Sequence, residues 1–397
     1  MEADLARWLV SEEAEPALAE ASDQPDPGSL AAATALRRHW PAEQAAAALG
    51  QVALRRRAVA KFGERAARLF FTAEGLEQAT WADVARWRAE RLAATGVREV
   101  VDLGCGIGAD ALAFRDAGLV VRAVEADPAT AVLARANLDP ISSGDGHGPP
   151  VEVRCGDAVE LASSLLAGDA AVFADPARRT AAGRTWRVGD VTPPWGFVTG
   201  LLVGRVGCVK AAPGLPASFI PGGVATTWVS HRGDLVETSL WSGPWPSDSR
   251  TAVLLPSGAW LEAGGRSAPP VGAIGPFLFE PDPAVIRAGA VAALAEQLDG
   301  RVPQAGIGYL FADAYGETPF ATGFEVLDEL PFDERVLRRW VADQGIGAIE
   351  IKVRGLDVDP AALRRRLKPK GRASATLVLT PTTVGARTLV VRRIRAG

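Results

Sequence analysis

The sequence predicts an α/β protein with a parallel sheet, preceded by a helical region and followed by a small α+β domain. Three observations support this. Apolar residues recur every three or four positions up to about residue 95, strand-like runs alternate with helical segments from Arg98, and helical and strand-like runs both occur after a Gly/Pro-rich segment at 261–276. The chain has 397 residues, of which 48% are hydrophobic and 23% charged. At roughly 150 residues per domain, this length predicts two or three domains.

Residues 1–95 are predicted to form a set of helices, because they are rich in Ala, Arg, Glu and Leu. The segment DQPDPG at 23–28 separates the first helix from the second, and Pro41 suits the first turn of a third. Thr80 is a suitable N-cap for the last helix, with Asp83 at its third position. We therefore assign residues 1–95 to an N-terminal helical region.

The parallel sheet is predicted for residues 96–262. From Arg98 onward, strands and helices alternate, which is typical of parallel strands covered on both faces. Beyond Arg205, strands follow one another without helices, and we expect them to complete the sheet as antiparallel strands. A Gly/Pro-rich segment at 261–276 is the best candidate for a linker. Residues 276–397 are then predicted to form the small α+β domain.

The formal net charge of −4 conceals two basic regions. Residues 335–397 contain fifteen Lys and Arg against four acids, and residues 37–71 contain eight against two. Because nucleic acid is the commonest polyanionic partner, such clusters favour nucleic-acid binding. The alternative is that both regions are solvated surfaces without a ligand.

The N-terminal, cysteine and histidine patterns predict a reduced cytoplasmic protein without a metal. No leader-like segment begins the chain, and no stretch approaches the roughly 18 apolar residues of a membrane span. Cys105, Cys155 and Cys208 lie far apart, and none of the three histidines lies near another type of metal ligand. We therefore expect no metal site and no membrane association.

A glycine-rich turn after the first predicted strand is the strongest functional motif. Residues 100–108 read VVDLGCGIG, so that Asp102 ends the strand and Gly104, Gly106 and Gly108 precede a helix. Glycines let the backbone approach a ligand closely, and the helix N-terminus offers N–H groups. The spacing differs from the dinucleotide fingerprint G-x-G-x-x-G, and Asp102 would repel a pyrophosphate. A ligand with a cationic amino-acid end suits this acid better.

Two further acids follow the second and third predicted strands. Glu125 lies 17 residues after Gly108, where a carboxylate can accept hydrogen bonds from both hydroxyls of a ribose. Asp157 can receive an adenine amino group, although capping of the next helix explains this residue equally well. A ligand with adenosine, a cationic amino acid and no phosphate is S-adenosylmethionine (SAM).

These motifs resemble the class I SAM-dependent methyltransferases, which have a Rossmann-like sheet. The resemblance of the core covers residues 98–210, and the wider resemblance extends from Ala58 to near the end of the chain. Within that group, the sequence more specifically resembles bacterial methyltransferases with a C-terminal THUMP-like domain, which are distantly similar to trimethylguanosine synthases. The segments that carry it are FTAEGLEQAT (71–80), VFADPARR (172–179), FLFEPDPAVIRAG (277–289) and IEIKVRG (349–355). The resemblance implies SAM as cofactor and makes Thr80 a candidate for the cofactor pocket.

The fourth motif of the core, Asp175-Pro176-Ala177-Arg178, is implied by the resemblance to position the methyl acceptor. Related enzymes that methylate amines carry Asp, Asn or Ser here, followed by two prolines and an aromatic residue. Their polar side chain and the next carbonyl accept hydrogen bonds from the amine, which aligns its lone pair with the methyl group. Ala177 and Arg178 depart from that pattern and put methylation of a base amine in question.

Several other side chains are candidates for substrate binding. Trp186 and Trp195 would offer a stacking surface to a base, unless both simply pack the loop. Arg178 and Arg179 would hold phosphates. Lys210 follows a later strand at the same sheet edge, where it would contact substrate or cofactor, and a solvent-facing lysine is the alternative.

Carbon methylation is disfavoured by the cysteine positions. Methylation of a pyrimidine at C5 needs a cysteine nucleophile. None follows Pro176, and Cys208 lies inside a predicted strand, where it resembles a small apolar side chain.

The resemblance implies that the THUMP-like tail holds RNA. Arg365 and Lys368 belong to a run of cations that follows one predicted helix and would track phosphates. A polar helix face without a ligand is the alternative.

The sequence therefore predicts a SAM-dependent methyltransferase that acts on a nitrogen of an rRNA or tRNA nucleotide. One alternative is a methyltransferase for a small molecule or a protein, in which the basic tail is structural. Another is a SAM- or RNA-binding protein without catalysis, which the altered fourth motif suggests.

Overall fold

The structure, a computed structural model, describes four ranges of the chain, 1–139, 148–178, 191–264 and 268–394. The chain forms two compact units. Unit 1 comprises Met1–Ala225 and Glu237–Asp248, and unit 2 comprises Thr226–Val236 and Ser249–Gly397. The units divide the chain at other points than the predicted domains do.

Unit 1 begins with helices, as the sequence predicts. They are α1 (Ala3–Leu9), a 3₁₀ helix (Glu12–Ala14), α2 (Glu15–Ser22), α3 (Leu30–Leu36), α4 (Ala42–Phe62), a second 3₁₀ helix (Gly63–Ala67), α5 (Ala73–Gln78) and α6 (Ala82–Ala93). The N-cap of α6 is Trp81, so the predicted capping role of Thr80 is wrong. The Thr80 hydroxyl instead donates to Asp110 and accepts from Lys210.

Strands and helices then alternate through the rest of unit 1. The strands are β1 (Glu99–Leu103), β2 (Val120–Glu125), β3 (Val151–Cys155), β4 (Ala171–Ala174), the short β5 (Ala177–Arg178) and β6 (Val191–Thr192), and β7 (Gly207–Ala211). The helices are α7 (Ala109–Asp116), α8 (Pro128–Leu138), α9 (Ala158–Leu165), α10 (Trp195–Gly200) and a 3₁₀ helix (Ala217–Phe219). Two strands lie where the units divide, β8 (Ala225–His231) and β9 (Asp234–Ser242).

The strands of unit 1 form a sheet in the order β9-β7-β4-β1-β2-β3. Neighbours from β7 to β3 are parallel, and β9 is antiparallel to β7. Every residue of β4 is buried, and the ring of Phe173 on β4 lies 5.2 Å from that of Phe114 on α7. Strands covered on both faces are apolar in this way. The carboxyl ends of β1, β2 and β4 therefore meet at one sheet edge.

Unit 2 contains three strands before the predicted linker, namely β8, β10 (Arg250–Leu255) and β11 (Ala259–Glu262). β10 is antiparallel to β11 but parallel to β8. The expectation of purely antiparallel strands is therefore wrong at this point. The reason is that β10 pairs with the strand two positions earlier in the chain, which runs in the same direction.

The rest of unit 2 is built on a second sheet, in the order β13-β12-β14-β17-β16-β15. Its strands are β12 (Phe277–Pro281), β13 (Leu310–Ala312), β14 (Ala321–Pro331), β15 (Ile346–Val353), β16 (Ala373–Thr382) and β17 (Gly385–Arg393). The helices are α11 (Pro283–Ala288), α12 (Val291–Gln297), α13 (Glu334–Asp343) and α14 (Pro360–Leu367). Leu337 of α13 and Leu363 of α14 are fully buried in one apolar cluster with Leu377 of β16. Of the helices in the described ranges, none is long and apolar enough to cross a bilayer.

Candidate active site

The glycine-rich turn joins β1 to α7 at the carboxyl edge of the unit 1 sheet. Gly104, Gly106 and Gly108 have φ angles of +93°, +56° and +88°, a region that other residues rarely adopt. The N–H groups of Gly104 and Cys105 both donate to the carbonyl of Val124 on β2, at 2.9 Å. The predicted turn is thus held against the neighbouring strand end.

Asp102 is fully buried on β1. Among the described residues, neither of its carboxylate oxygens has a hydrogen-bond partner. Burial raises the pKa of Asp102 well above its usual range, and repulsion by Asp110 and Asp175 adds to the effect. A buried acid without a cation is energetically unfavourable, so this position favours a ligand that brings a positive charge.

Glu125 connects the end of β2 with the glycine turn. Its Oε2 accepts the N–H of Gly106 at 2.9 Å, and its Oε1 accepts the N–H of Asp127 at 2.8 Å. Two backbone donors fix the plane of this half-buried carboxylate, and each oxygen keeps a second lone pair for a ligand hydroxyl.

Asp157 lies beyond β3 and is exposed. Its Oδ1 accepts the N–H groups of Val159 at 2.7 Å and Glu160 at 3.2 Å, so it caps α9. The capping role that the sequence left open is therefore present. The contact with adenine stays a prediction.

Asp175 follows β4 directly and faces a lysine. Lys210 Nζ on β7 lies 2.5 Å from Asp175 Oδ2 and donates to Thr80 Oγ1 at 3.0 Å. The strand register pairs Ala174 with Val209, so Asp175 and Lys210 come next along their strands. A Cβ atom added to Gly104 would lie 4.0 Å from the Asp175 carbonyl oxygen. The fourth motif therefore lies beside the glycine turn.

Three buried charged residues lie behind this pair. Arg88 on α6 is fully buried, donates to Asp110 Oδ1 on α7, and lies 2.6 Å and 2.5 Å from the two carboxylate oxygens of Glu237 on β9. Burial would lower the pKa of Arg88, but Asp110 and Glu237 outweigh burial and raise it. Thr80 donates to the remaining oxygen of Asp110 at 2.7 Å. A continuous set of contacts thus runs from Glu237 to Asp175.

The rest of the fourth motif is described only in part. Pro176 is half-buried, and β5, formed by Ala177 and Arg178, pairs antiparallel with β6. Arg179 and Trp186 lie outside the described residues. Trp195 is 6% exposed, and its indole N–H donates to the Phe219 carbonyl at 3.1 Å. That contact favours the packing alternative for Trp195.

Cys208 is fully buried in β7, within the apolar core. Burial raises the pKa of its thiol, which opposes formation of a nucleophilic thiolate. The structure therefore adds to the argument against carbon methylation.

Comparisons with known proteins agree with this geometry. Two SAM-dependent methyltransferases of Mycobacterium tuberculosis, from strains CDC 1551 / Oshkosh and ATCC 25618 / H37Rv, are each 37% identical over 355 residues, which cover 85% of this chain and 92% of theirs. The chain belongs to the SAM-dependent methyltransferases.

Other matches describe the ends and the fold of this methyltransferase. Residues 321–393 match the THUMP domain-like family, and residues 2–58 match a domain of unknown function (DUF8688). A crystal structure from Porphyromonas gingivalis W83, assigned as a methyltransferase, has 23% identity and a TM-score of 0.78, with 97% of this chain and 99% of that chain covered. The predicted α/β methyltransferase fold, SAM as cofactor and the THUMP-like C-terminal part are confirmed.

Sequence reasoning missed Arg88, Asp110 and Glu237. The sequence contained a signal for Arg88 and for Asp110, but none for Glu237. Arg88 lies in the buried stripe of α6 between Val84 and Leu92, where a charge needs a buried partner. Asp110 lies in the first turn of the helix that follows the glycine motif. Glu237 begins the buried run of β9, which extends to Trp241, and no spacing links it to Arg88 across 149 positions.

The cations of the THUMP-like part differ from these buried charges. Arg365 near the end of α14 and Lys368 just after it are exposed, and within the described ranges neither side chain forms a hydrogen bond or an ion pair. By contrast, Lys352 Nζ lies 2.8 Å from Glu280 Oε2, which joins the two C-terminal family motifs. Arg365 and Lys368 are therefore available to an external anion.

Proposed function

We propose that this methyltransferase transfers a methyl group from SAM to a nitrogen of an RNA nucleotide, in rRNA or tRNA. The observation that carries the proposal is the position of Asp175. Its carboxylate is partly exposed, follows the end of β4, and lies beside the glycine turn. A carboxylate at this place can accept a hydrogen bond from an acceptor amine and orient it.

The cofactor site fits SAM, whose sulfonium supplies an activated methyl group. Asp102, buried and without a partner in the described ranges, would bind the positive charge of the cofactor's amino-acid end. Gly104, Gly106 and Gly108 would let the backbone approach it. Further candidates for cofactor binding are Glu125 for the ribose, Asp157 for the adenine and Thr80 at the pocket wall.

The acceptor would lie against Asp175 and the following Pro176-Ala177-Arg178 segment. An amine with hydrogens is a donor, and an ionised carboxylate only accepts, so the two are complementary. Orientation of the nitrogen lone pair is the main task of the protein, because the leaving group is already activated by its positive charge. Arg179 and Trp186 stay candidates for holding the nucleotide.

RNA as substrate is supported by two features of unit 2. Residues 321–393 match the THUMP domain-like family. Within the described residues after Asp333, the exposed cations are Arg335, Arg338, Arg339, Arg364, Arg365, Arg366, Lys368, Lys370, Arg372, Arg392 and Arg393. Exposed cations attract phosphates, and neutralised phosphates release their bound counterions.

The test is a comparison of modified nucleosides in total RNA by mass spectrometry, from cells with and without the gene. One methylated nucleoside should disappear with the gene, and its N-methyl position should identify the atom. The wild-type gene should restore it, and Asp175→Ala should not, since loss of the orienting carboxylate should lower the rate at least about a hundredfold. Purified Asp175→Ala should bind SAM with a Kd within about threefold of wild type.

Three outcomes would contradict the proposal. An unchanged nucleoside profile would favour a small-molecule or protein substrate. A missing C-methyl or O-methyl nucleoside would exclude nitrogen as the acceptor. Full restoration by Asp175→Ala would remove Asp175 from the acceptor site.

A further inference from the structure

Lys210 contacts Asp175, and the proposed role of Asp175 in orienting the acceptor does not by itself require a lysine at this place. The ammonium lies 2.5 Å from Asp175 Oδ2, and among the described residues Asp175 Oδ1 has no hydrogen-bond partner. Lys210 thus occupies one oxygen of the carboxylate and leaves the other.

The ammonium is held from the protein side by Thr80. The Thr80 hydroxyl donates its hydrogen to Asp110 at 2.7 Å. Its oxygen therefore has lone pairs free to accept the hydrogen bond from Lys210, at 3.0 Å. Arg88 fixes Asp110 in turn through the other carboxylate oxygen. Since Thr80 and Arg88 are buried, the position of the ammonium is set by groups that cannot rotate into water.

Exposure rises in the direction of the acceptor position. The side chain of Arg88 is 0% exposed, that of Lys210 is 13% exposed and that of Asp175 is 35% exposed. Lys210 therefore lies behind the carboxylate, and an acceptor can approach Asp175 without displacing it.

The charges around the pair keep Lys210 protonated. Asp175, Asp110 and Glu237 attract the ammonium, whereas Arg88 and Lys61 repel it. Burial would lower the pKa of Lys210, but the three carboxylates outweigh burial and raise it. Lys210 is therefore held in its charged form next to Asp175, and the charge of Asp175 in turn helps to raise the pKa of buried Asp102.

We propose that Lys210 is a positioning residue for methyl transfer, which fixes Oδ2 of Asp175 so that Oδ1 is oriented to accept a hydrogen bond from the acceptor. The proposal rests on the proposed role of Asp175. It adds that the acceptor is an uncharged group with a donor hydrogen, because Lys210 would repel an acceptor that is already cationic.

Kinetics of Lys210→Met and Lys210→Arg test the positioning role in the full chain, with the acceptor RNA that the nucleoside comparison identifies. Lys210→Met should lower kcat about 10- to 100-fold, because an unfixed carboxylate holds the acceptor out of line. Its Kd for SAM should stay within about threefold of wild type. Lys210→Arg should recover most of kcat, since the cation is kept.

The split between kcat and KM separates positioning from a merely structural role. Lys210→Met should lower kcat and leave the KM for the RNA nearly unchanged, because orientation of the acceptor acts on the transition state. A structural role alone would reduce the midpoint of urea unfolding and leave kcat of the folded enzyme unchanged. Thr80→Val, which keeps the shape of the side chain, should change kcat in the same direction by a smaller factor.

Lysine NMR tests the pair without any acceptor. The chain has only five lysines, so the Lys210 signal can be assigned by its absence in Lys210→Arg. Its pKa should exceed the usual lysine value in the wild type and fall in Asp175→Asn, because Asp175 is one of the carboxylates that raise it. An unchanged Lys210 pKa would overturn the pairing, and an unchanged kcat in Lys210→Met would overturn the positioning role. A wild-type enzyme that methylates no RNA would instead contradict the proposed function, while the NMR titration would still decide the pairing.

Discussion

Cations have different surroundings in the interior of unit 1 and around the end of helix α14 in unit 2. In unit 1, Arg88 and Lys210 are enclosed by carboxylates at short distances. On α14 and just after it, Arg365 and Lys368 are exposed and have no side-chain partner within the described ranges. The count of positive residues is therefore a poor guide to function until each side chain has been placed.

Several cations of the basic stretch 37–71 also have partners within the protein. Arg55 donates to the Leu69 carbonyl, Arg56 donates to three backbone carbonyls, and Lys61 holds the end of α5. Burial lowers the pKa of Arg55 to about 10. Much of this positive charge holds the helical region together, so the argument for a polyanionic partner rests on unit 2.

The largest effect is expected from Arg88→Met. The substitution would leave Asp110 and Glu237 buried without their cation, and loss of one member of a buried ion pair destabilises by roughly 3–5 kcal/mol. The free energy of unfolding, measured in urea by a probe in unit 1, should fall by that amount.

Arg86→Met on the same helix is the matched control. Arg86 forms a 3.1 Å pair with Asp83, but its side chain is 63% exposed. Such pairs contribute about 0–1 kcal/mol. If the two variants lost equal stability, the interior of unit 1 would not need its cation.

A smaller effect is expected from Lys61→Met. The Lys61 ammonium donates to the carbonyls of Leu76, Glu77 and Ala79 at 2.8 Å, 2.7 Å and 2.8 Å. Loss of these charge-assisted bonds should lower the free energy of unfolding by about 1.5–3 kcal/mol. Arg57→Met on the same helix, where the side chain is exposed, should change it by no more than about 0.5 kcal/mol. Equal effects would mean that Lys61 does not fix α5.

The parts of the fold and site that the sequence predicted are those encoded locally. The alternation of strands and helices gave the parallel sheet, and the spacing of Gly104, Gly106 and Gly108 gave the turn, because each depends on neighbours in the chain. Asp102 and Asp175 were also found, since each ends or follows a strand within a motif.

The parts that the sequence did not predict depend on contacts between distant segments. Arg88 meets Glu237 from a helix and a strand that no motif connects. Lys210 looked like an ordinary strand-end lysine until the register placed it beside Asp175. The pairing of β8 with β10 was missed for the same reason, because strand neighbours are not determined by strand patterns.

The smallest change in free energy is expected for the exposed cations on and after α14. It decides whether these side chains contact RNA phosphates directly or only contribute to the net charge. The triple variant Arg365→Gln/Lys368→Gln/Lys370→Gln should lower the affinity for a fluorescently labelled tRNA about tenfold and reduce the slope of log K against log salt by about 2 to 3, if each cation contacts one phosphate.

The matched control removes the same number of charges from unit 1, with Arg37→Gln/Arg38→Gln/Arg57→Gln, which are all exposed. Long-range attraction depends on net charge and would respond equally to both variants, whereas phosphate contacts respond only where they are made. Equal slopes for the two triple variants would therefore mean that the two basic regions do not differ in their contacts with RNA. A loss of affinity confined to Arg365→Gln/Lys368→Gln/Lys370→Gln would place the RNA on α14 and the residues after it.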